Sequence, residues 1–237
     1  MYKDRQCIAI ILAAGNGTRF GGSIPKQFLQ LGELPVFMHS LLTFQQDKHI
    51  DEIYLVLAND YIEHAKDIIK DHDISKIKAI VTGGNTRMAS VSNALEKITA
   101  INTDIILTHD AARPFVTKKN IHDILEAVFI SKAAILAIPI IDTIKYADKD
   151  GFSQKTISRE DLYKAQTPQA FLYGIIEYAY ERANAVRLEA SDDAACLEYI
   201  AMNPKIIESS VMNIKITSKQ DLEYAQHIFS YMNKNVN

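Results

Sequence analysis

The chain has 237 residues, with 26 Lys and Arg against 29 Asp and Glu, a formal net charge of -3. Hydrophobic residues make up 48% and charged residues 23%, which excludes wholesale disorder and supplies apolar material for a real core. The small acidic excess speaks against a dedicated nucleic-acid binder, whose footprint is basic, yet allows a local cluster of Lys and Arg around one small anion.

Residues 1–6 are polar and lead straight into an apolar run, unlike a signal peptide. No uninterrupted apolar stretch approaches the ~18–20 residues needed to cross a bilayer, so the expected setting is cytoplasmic, with no membrane partner. The first run, Ile8 to Leu12, is short and β-branched and predicts a strand covered on both faces. Similar runs follow at Ile53 to Leu57, Ala79 to Val81, Ile105 to Thr108 and Ala134 to Ile138. Between them, Val36 to Gln46, Tyr61 to Asp71, Arg87 to Ile98 and Lys119 to Ile130 carry apolar residues at helical spacing on one face. This alternation predicts an α/β fold, a Rossmann-like, mostly parallel sheet with helices on both faces, and a ligand at the carboxyl ends of its strands.

The alternation breaks after Pro139. Asp142 to Ala147 and Lys155 to Arg159 flank the turn residues Asp148-Lys149-Asp150-Gly151, so 140–161 reads as an inserted β-hairpin arm on a single domain spanning 1–237. An isolated hairpin with few large apolar residues is marginal in water, so a second subunit is expected to cover it. Lys219 to Met232 reads as a closing amphipathic helix. Cys7 and Cys196 lie in apolar segments, read as buried thiols, and form no zinc ligand set.

Several motifs carry chemistry. Leu12-Ala13-Ala14-Gly15-Asn16-Gly17-Thr18-Arg19 is a strand end followed by a Gly-rich loop, with Pro25-Lys26-Gln27 after it. Glycines let backbone N–H groups approach a phosphate, and Arg19 and Lys26 add charge for a triphosphate. Neither the Walker spacing nor the dinucleotide spacing fits. Thr108-His109-Asp110-Ala111-Ala112-Arg113-Pro114 puts an acid at a strand end, suited to Mg²⁺, and an arginine suited to an anion. For His109, packing or orientation is as fitting a role as catalysis. Gly83-Gly84 before a helix leaves room for a base or ribose, although a left-handed turn explains the pair equally well. Asp142-Thr143 with Arg159, Ala165 to Gln169, Ser191 to Ala194 and Asn213 to Thr217 each read singly as loop or cap chemistry.

Together, in this order, the motifs resemble the 2-C-methyl-D-erythritol 4-phosphate cytidylyltransferase family, from about Ile8 to Ala225. The resemblance implies CTP and a sugar-alcohol phosphate as substrates, a divalent cation such as Mg²⁺, and a homodimer joined by the arm. It places Ala13, Ala14, Gly15, Gly17, Thr18, Gly84 and Ser90 at the nucleotide, and Arg19, Lys26 and Lys215 on the phosphates as catalytic cations. It gives Asp110 to the metal, the nucleotide and the second substrate. It gives Arg113, Thr143, Arg159, Thr167 and Ser191 to the second substrate, with Thr143 and Arg159 coming from the other subunit. Two positions depart from the family pattern: Asn85, where an acid is common, and Ser191, where Thr is usual. A pentitol-phosphate cytidylyltransferase making CDP-ribitol shares these loops, and a non-enzymatic nucleotide-binding regulator would share the glycine loop.

Overall fold

A computed structural model describes residues 1–15, 20 and 24–234. Strand β1 (Cys7–Ala13) is apolar on both sides because it lies inside the sheet. Cys7, Ala9, Ile11 and Ala13 join one core cluster, and Ile8 and Ile10 join another across the sheet.

After β1 come two short strands, β2 (Gln30–Leu31) and β3 (Leu34–Pro35), which pair with each other. Helix α1 (Val36–Gln46), β4 (Glu52–Leu57), α2 (Ile62–Lys70), β5 (Ile77–Thr82), α3 (Arg87–Leu95), β6 (Ile105–Asp110), α4 (Lys118–Ser131) and β7 (Ala133–Pro139) then alternate, as the periodicity predicts. The hairpin strands are β8 (Ile144–Ala147) and β9 (Ser153–Ile157), followed by β10 (Tyr163–Leu172), α5 (Tyr173–Ala185), α6 (Asp193–Tyr199), β11 (Lys205–Glu208) and α7 (Lys219–Lys234).

The seven-stranded sheet runs β11-β7-β10-β6-β1-β4-β5. Strands β6, β1, β4 and β5 pair in parallel, as do β7 and β11, while β10 is antiparallel to both β6 and β7. Helices α1 and α4 pack on one face, and α3, α5 and α6 on the other. Phe37, Leu41 and Phe44 of α1 are fully buried, each contributing about 1.5–3 kcal/mol relative to exposure. Helix α7 closes a third cluster by packing Ala225 and Ile228 with Val36, Phe115 and Ile216.

The expectation that residues 165–169 are loop or cap is corrected by β10. Gln166, Thr167 and Gln169 are polar, and Pro168 cannot donate to a ladder, so the run lacks a strand signature. Tertiary partners absorb its polar groups, and the register shifts between Ala165 and Gln169. The hairpin forms inside 140–161, pairs only with itself among the described residues, and is largely exposed.

Gly83 and Gly84 do not take the left-handed conformation. A Cβ on Gly83 would stand 2.3 Å from the Cβ of Ala14, and one on Gly84 would stand 2.5 Å from the Cβ of Ala89. These glycines are required for close packing of the loop against its neighbours.

Candidate active site

Strand ends β1 and β6 and the loop after β5 open into a cavity of about 200 Å³. Ala13, Ala14, Gly15, Gly84 and Ser90 line it, together with Lys26, Asp110 and Lys215. Gln27, next to Lys26, is buried and donates to the carbonyls of Ala13 (2.5 Å) and Gly15 (3.0 Å), tying the 26–28 turn to the end of β1. Ser90 accepts the Gly84 N–H at 3.1 Å and donates to Thr86 O at 2.9 Å, so its hydroxyl braces the loop it borders. Gly17, Thr18 and Arg19 lie outside the described residues.

A second cavity, of about 190 Å³, lies beside the first. Arg113, Thr167 and Ser191 border it, each reaching it from a different element. Gln169 fixes the rim, donating to Asp192 at 2.8 Å and accepting from Ala194 N at 3.1 Å. Arg113 is buried and donates to the carbonyl oxygens of Asn213 (2.8 Å) and Ala165 (3.4 Å). Its Nε has no partner, nor has the Oδ1 of Asn213.

Three residues line both cavities: Arg87, Asp110 and Lys215. Lys215 Nζ sits 2.7 Å from Asp110 Oδ2, and Arg87 Nε lies 3.1 Å from Asp110 Oδ1. A short wall of alternating charge therefore separates the two cavities. The profile of the family described as IspD, 2-C-methyl-D-erythritol 4-phosphate cytidylyltransferase, matches residues 7–231. The chain belongs to this family.

Among its relatives, the cytidylyltransferase of that name from Halalkalibacterium halodurans is 36% identical over 222 residues, covering 93% of this chain and 96% of the relative. The one from Clostridium botulinum is 40% identical, over 92% of this chain and 95% of the relative. The crystal structure of 4-diphosphocytidyl-2C-methyl-D-erythritol synthase from Anaerococcus prevotii superposes with a TM-score of 0.83 at 31% identity, covering 95% of this chain and 96% of that one. These are relatives of a cytidylyltransferase fold along nearly its whole length.

For a member of the cytidylyltransferase family, the electrostatics of the wall are informative. Burial alone would raise the Asp110 carboxyl, but Arg87, Lys215 and Arg113 together hold it well below the usual carboxylate range. Asp110 is therefore ionised at neutral pH. Burial pushes His109 down to about 3, against a partial opposing pull from Asp110, so its imidazole is neutral. Arg87 is pulled down by burial, yet Asp193 and Asp110 more than offset this, and it stays charged.

Sequence reasoning missed Arg87 and Asp193. Arg87 donates from Nη1 and Nη2 to the two oxygens of Asp193, each at 2.8 Å. Asp193 is fully buried and also accepts from Thr108 Oγ1 at 2.6 Å and from Tyr180 OH. An arginine in a first helical turn and the second acid of Ser191-Asp192-Asp193 look like surface and cap chemistry in the linear chain. No spacing rule pairs residues 87 and 193. The structure does not bring Thr143 and Arg159 to either cavity of the same chain; both are exposed, and Arg159 donates to Ile141 O.

Proposed function

We propose that the chain joins CTP to 2-C-methyl-D-erythritol 4-phosphate, giving CDP-methylerythritol and pyrophosphate, as a step of non-mevalonate isoprenoid synthesis. The observation that carries the reading is the shared wall. Two cavities of similar volume meet at Arg87, Asp110 and Lys215, so two ligands can lie side by side with their reacting phosphates at one charged boundary. The first cavity takes the cytidine against Ala13, Ala14, Gly15, Gly84 and Ser90, with the triphosphate toward Lys26 and, by the resemblance, Arg19. The second takes the sugar-alcohol phosphate between Arg113, Thr167 and Ser191. The unpartnered Arg113 Nε supports an anion there, because a buried donor left unmade costs about 1–3 kcal/mol.

The attacking phosphate oxygen is already a nucleophile and needs no general base. The barrier is anion meeting anion, together with charge growing on the α-phosphate and on pyrophosphate. Positioning and fixed cations lower such barriers. Lys215 borders both cavities and is placed to neutralise both reactants. Asp110 fits a divalent cation of the Mg²⁺ kind, which takes one or two carboxylates plus phosphate oxygens. Among the described residues no group of three or more His, Cys, Asp or Glu could hold a metal, and a Mg²⁺ ion at Asp110 would take its remaining ligands from phosphate oxygens and water. When bound, Mg²⁺ would supply charge on the reacting phosphates.

The arm supports a homodimer. Ile141, Tyr146 and Phe152 are 74%, 59% and 70% exposed, an apolar surface that a second copy would cover. In that dimer Thr143 and Arg159 would serve the second cavity of the other protomer. Both substrates are multiply charged, which supports a cytoplasmic setting where such metabolites are retained. No helix among the described residues is long and apolar enough to cross a membrane.

The test is a pyrophosphate-release assay on the purified protein with CTP and Mg²⁺. Release is expected with 2-C-methyl-D-erythritol 4-phosphate and not in its absence. Faster release with ribitol 5-phosphate would move the assignment to CDP-ribitol, and none with either would remove it.

A further inference from the structure

His109 is fully buried and lines neither cavity. Its Nε2 lies 3.2 Å from the carbonyl oxygen of Arg113, which can only accept. Ser40 Oγ, 3.3 Å from Nε2, itself donates to that carbonyl at 3.1 Å, and no carboxylate stands among the hydrogen-bond partners of the buried ring in the described residues, so the ring carries one proton, and it lies on Nε2, leaving Nδ1 with a lone pair. Nδ1 lies 3.1 Å from Thr167 Oγ1. That oxygen already accepts the Asp110 backbone N–H at 3.0 Å. A hydroxyl has one proton and two acceptor sites. The Thr167 proton goes to Nδ1 and one lone pair takes the Asp110 N–H, so what remains is one acceptor site.

We propose that His109 is a positioning residue that holds the Thr167 hydroxyl as an acceptor, so that this end of the second cavity reads a substrate hydroxyl and rejects a phosphate. An ionised phosphate oxygen brings only lone pairs and would meet another lone pair. A polyol hydroxyl brings a proton. The phosphate is thereby directed to the part of the cavity where the side chains of Arg113 and Lys215 supply positive charge. The same chain of bonds ties Thr167 on β10 to the Asp110 backbone on β6, so hydroxyl recognition and the placing of the charged wall share one support. This inference rests on the second cavity taking the sugar-alcohol phosphate.

The experiment combines substrate analogues with variants. Analogues of 2-C-methyl-D-erythritol 4-phosphate, each lacking one hydroxyl, are assayed with the wild type and with Thr167→Val. One analogue is expected to lose at least ~10-fold in kcat/KM with the wild type, about the worth of one hydrogen bond, and no more than about twofold with Thr167→Val. Equal losses in both proteins for every analogue would overturn the proposal. His109→Phe is expected to raise KM for the sugar-alcohol phosphate ~10-fold while KM for CTP stays within about twofold. His109→Asn, which can place an acceptor where Nδ1 stands, should recover most of that loss. Equal rises in both KM values would reduce His109 to a packing role and overturn the proposal. Where His109→Phe does not fold, a long-range ¹H–¹⁵N spectrum of the wild type decides, since the Nε2–H tautomer is required and the Nδ1–H tautomer refutes it. Failure of the parent substrate to react at all would strike the functional reading instead, and is separately visible.

Discussion

At the residue scale, Lys215 reaches the wall because its neighbours are pinned. Asn213 Nδ2 donates to Thr167 O at 2.9 Å, Arg113 holds Asn213 O, and Ile216 N donates to Ala112 O at 2.8 Å with its side chain fully buried. Lys215→Ala should therefore remove a cation without unseating its loop. Loss of one preorganised donor costs roughly 10²–10³ in rate. We expect kcat/KM to fall by at least ~10²; steady-state kinetics showing near-normal turnover would contradict the assigned role. Gly83→Ala puts a methyl group against Ala14 in the first cavity. Overpacking of this kind costs about 1–3 kcal/mol, and the expected signs are a lowered melting temperature and a raised KM for CTP. An unchanged KM would show that Ala14 is not displaced. The roles of Lys26, Lys215 and Asp110 were readable as charge types after strand ends. The partnership of Arg87 with Asp193 was not, because it depends on the first turns of two helices, distant in the chain, meeting on one face of the sheet.

At the element scale, α7 begins at a reciprocal pair. Ser218 N donates to Asp221 Oδ2 at 2.8 Å and Asp221 N donates to Ser218 Oγ at 3.2 Å, with Thr217 N and Oγ1 adding to the same carboxylate. Burial is the largest single influence on Asp221 and opposes its ionisation, but the hydrogen bonds from Thr217 and Ser218 together outweigh it and lower its pKa. A depressed carboxylate contributes stability that is complete above its ordinary value of 3.8 and is lost as pH falls through the lower folded value. Asp221→Asn, which keeps an acceptor and removes the charge, should weaken the helix start by about 0.3–1 kcal/mol at pH 7. The gap between wild type and variant should narrow as pH falls below 3.8; denaturant titrations at several pH values that give a constant gap would refute this. The helix over Val36–Gln46 was legible to the residue, since its apolar spacing and packing agree. Strand β10 was illegible because its buried polar side chains are satisfied only by residues distant in the chain.

At the scale of the whole molecule, the arm leaves Thr143 and Arg159 exposed and outside the lining of both cavities of their own chain. Arg159→Ala should raise KM for the sugar-alcohol phosphate more than KM for CTP, provided a second protomer supplies that residue. Equal KM values for the sugar phosphate in mutant and wild type would remove Arg159 from the site. Sedimentation of Phe152→Asp, expected to shift mass toward the monomer with loss of activity, tests the dimer on which that contribution depends.

By itself the sequence determined the alternating α/β order, the hairpin and the types of charge at the strand ends, because hydrophobic period and turn chemistry act over a few neighbours. The tertiary structure alone decided that two cavities share one wall, that Asp193 is buried beneath it, and that His109 orients Thr167. Those facts depend on contacts between residues 23 to 106 positions apart, and only the packed sheet brings them within hydrogen-bond reach.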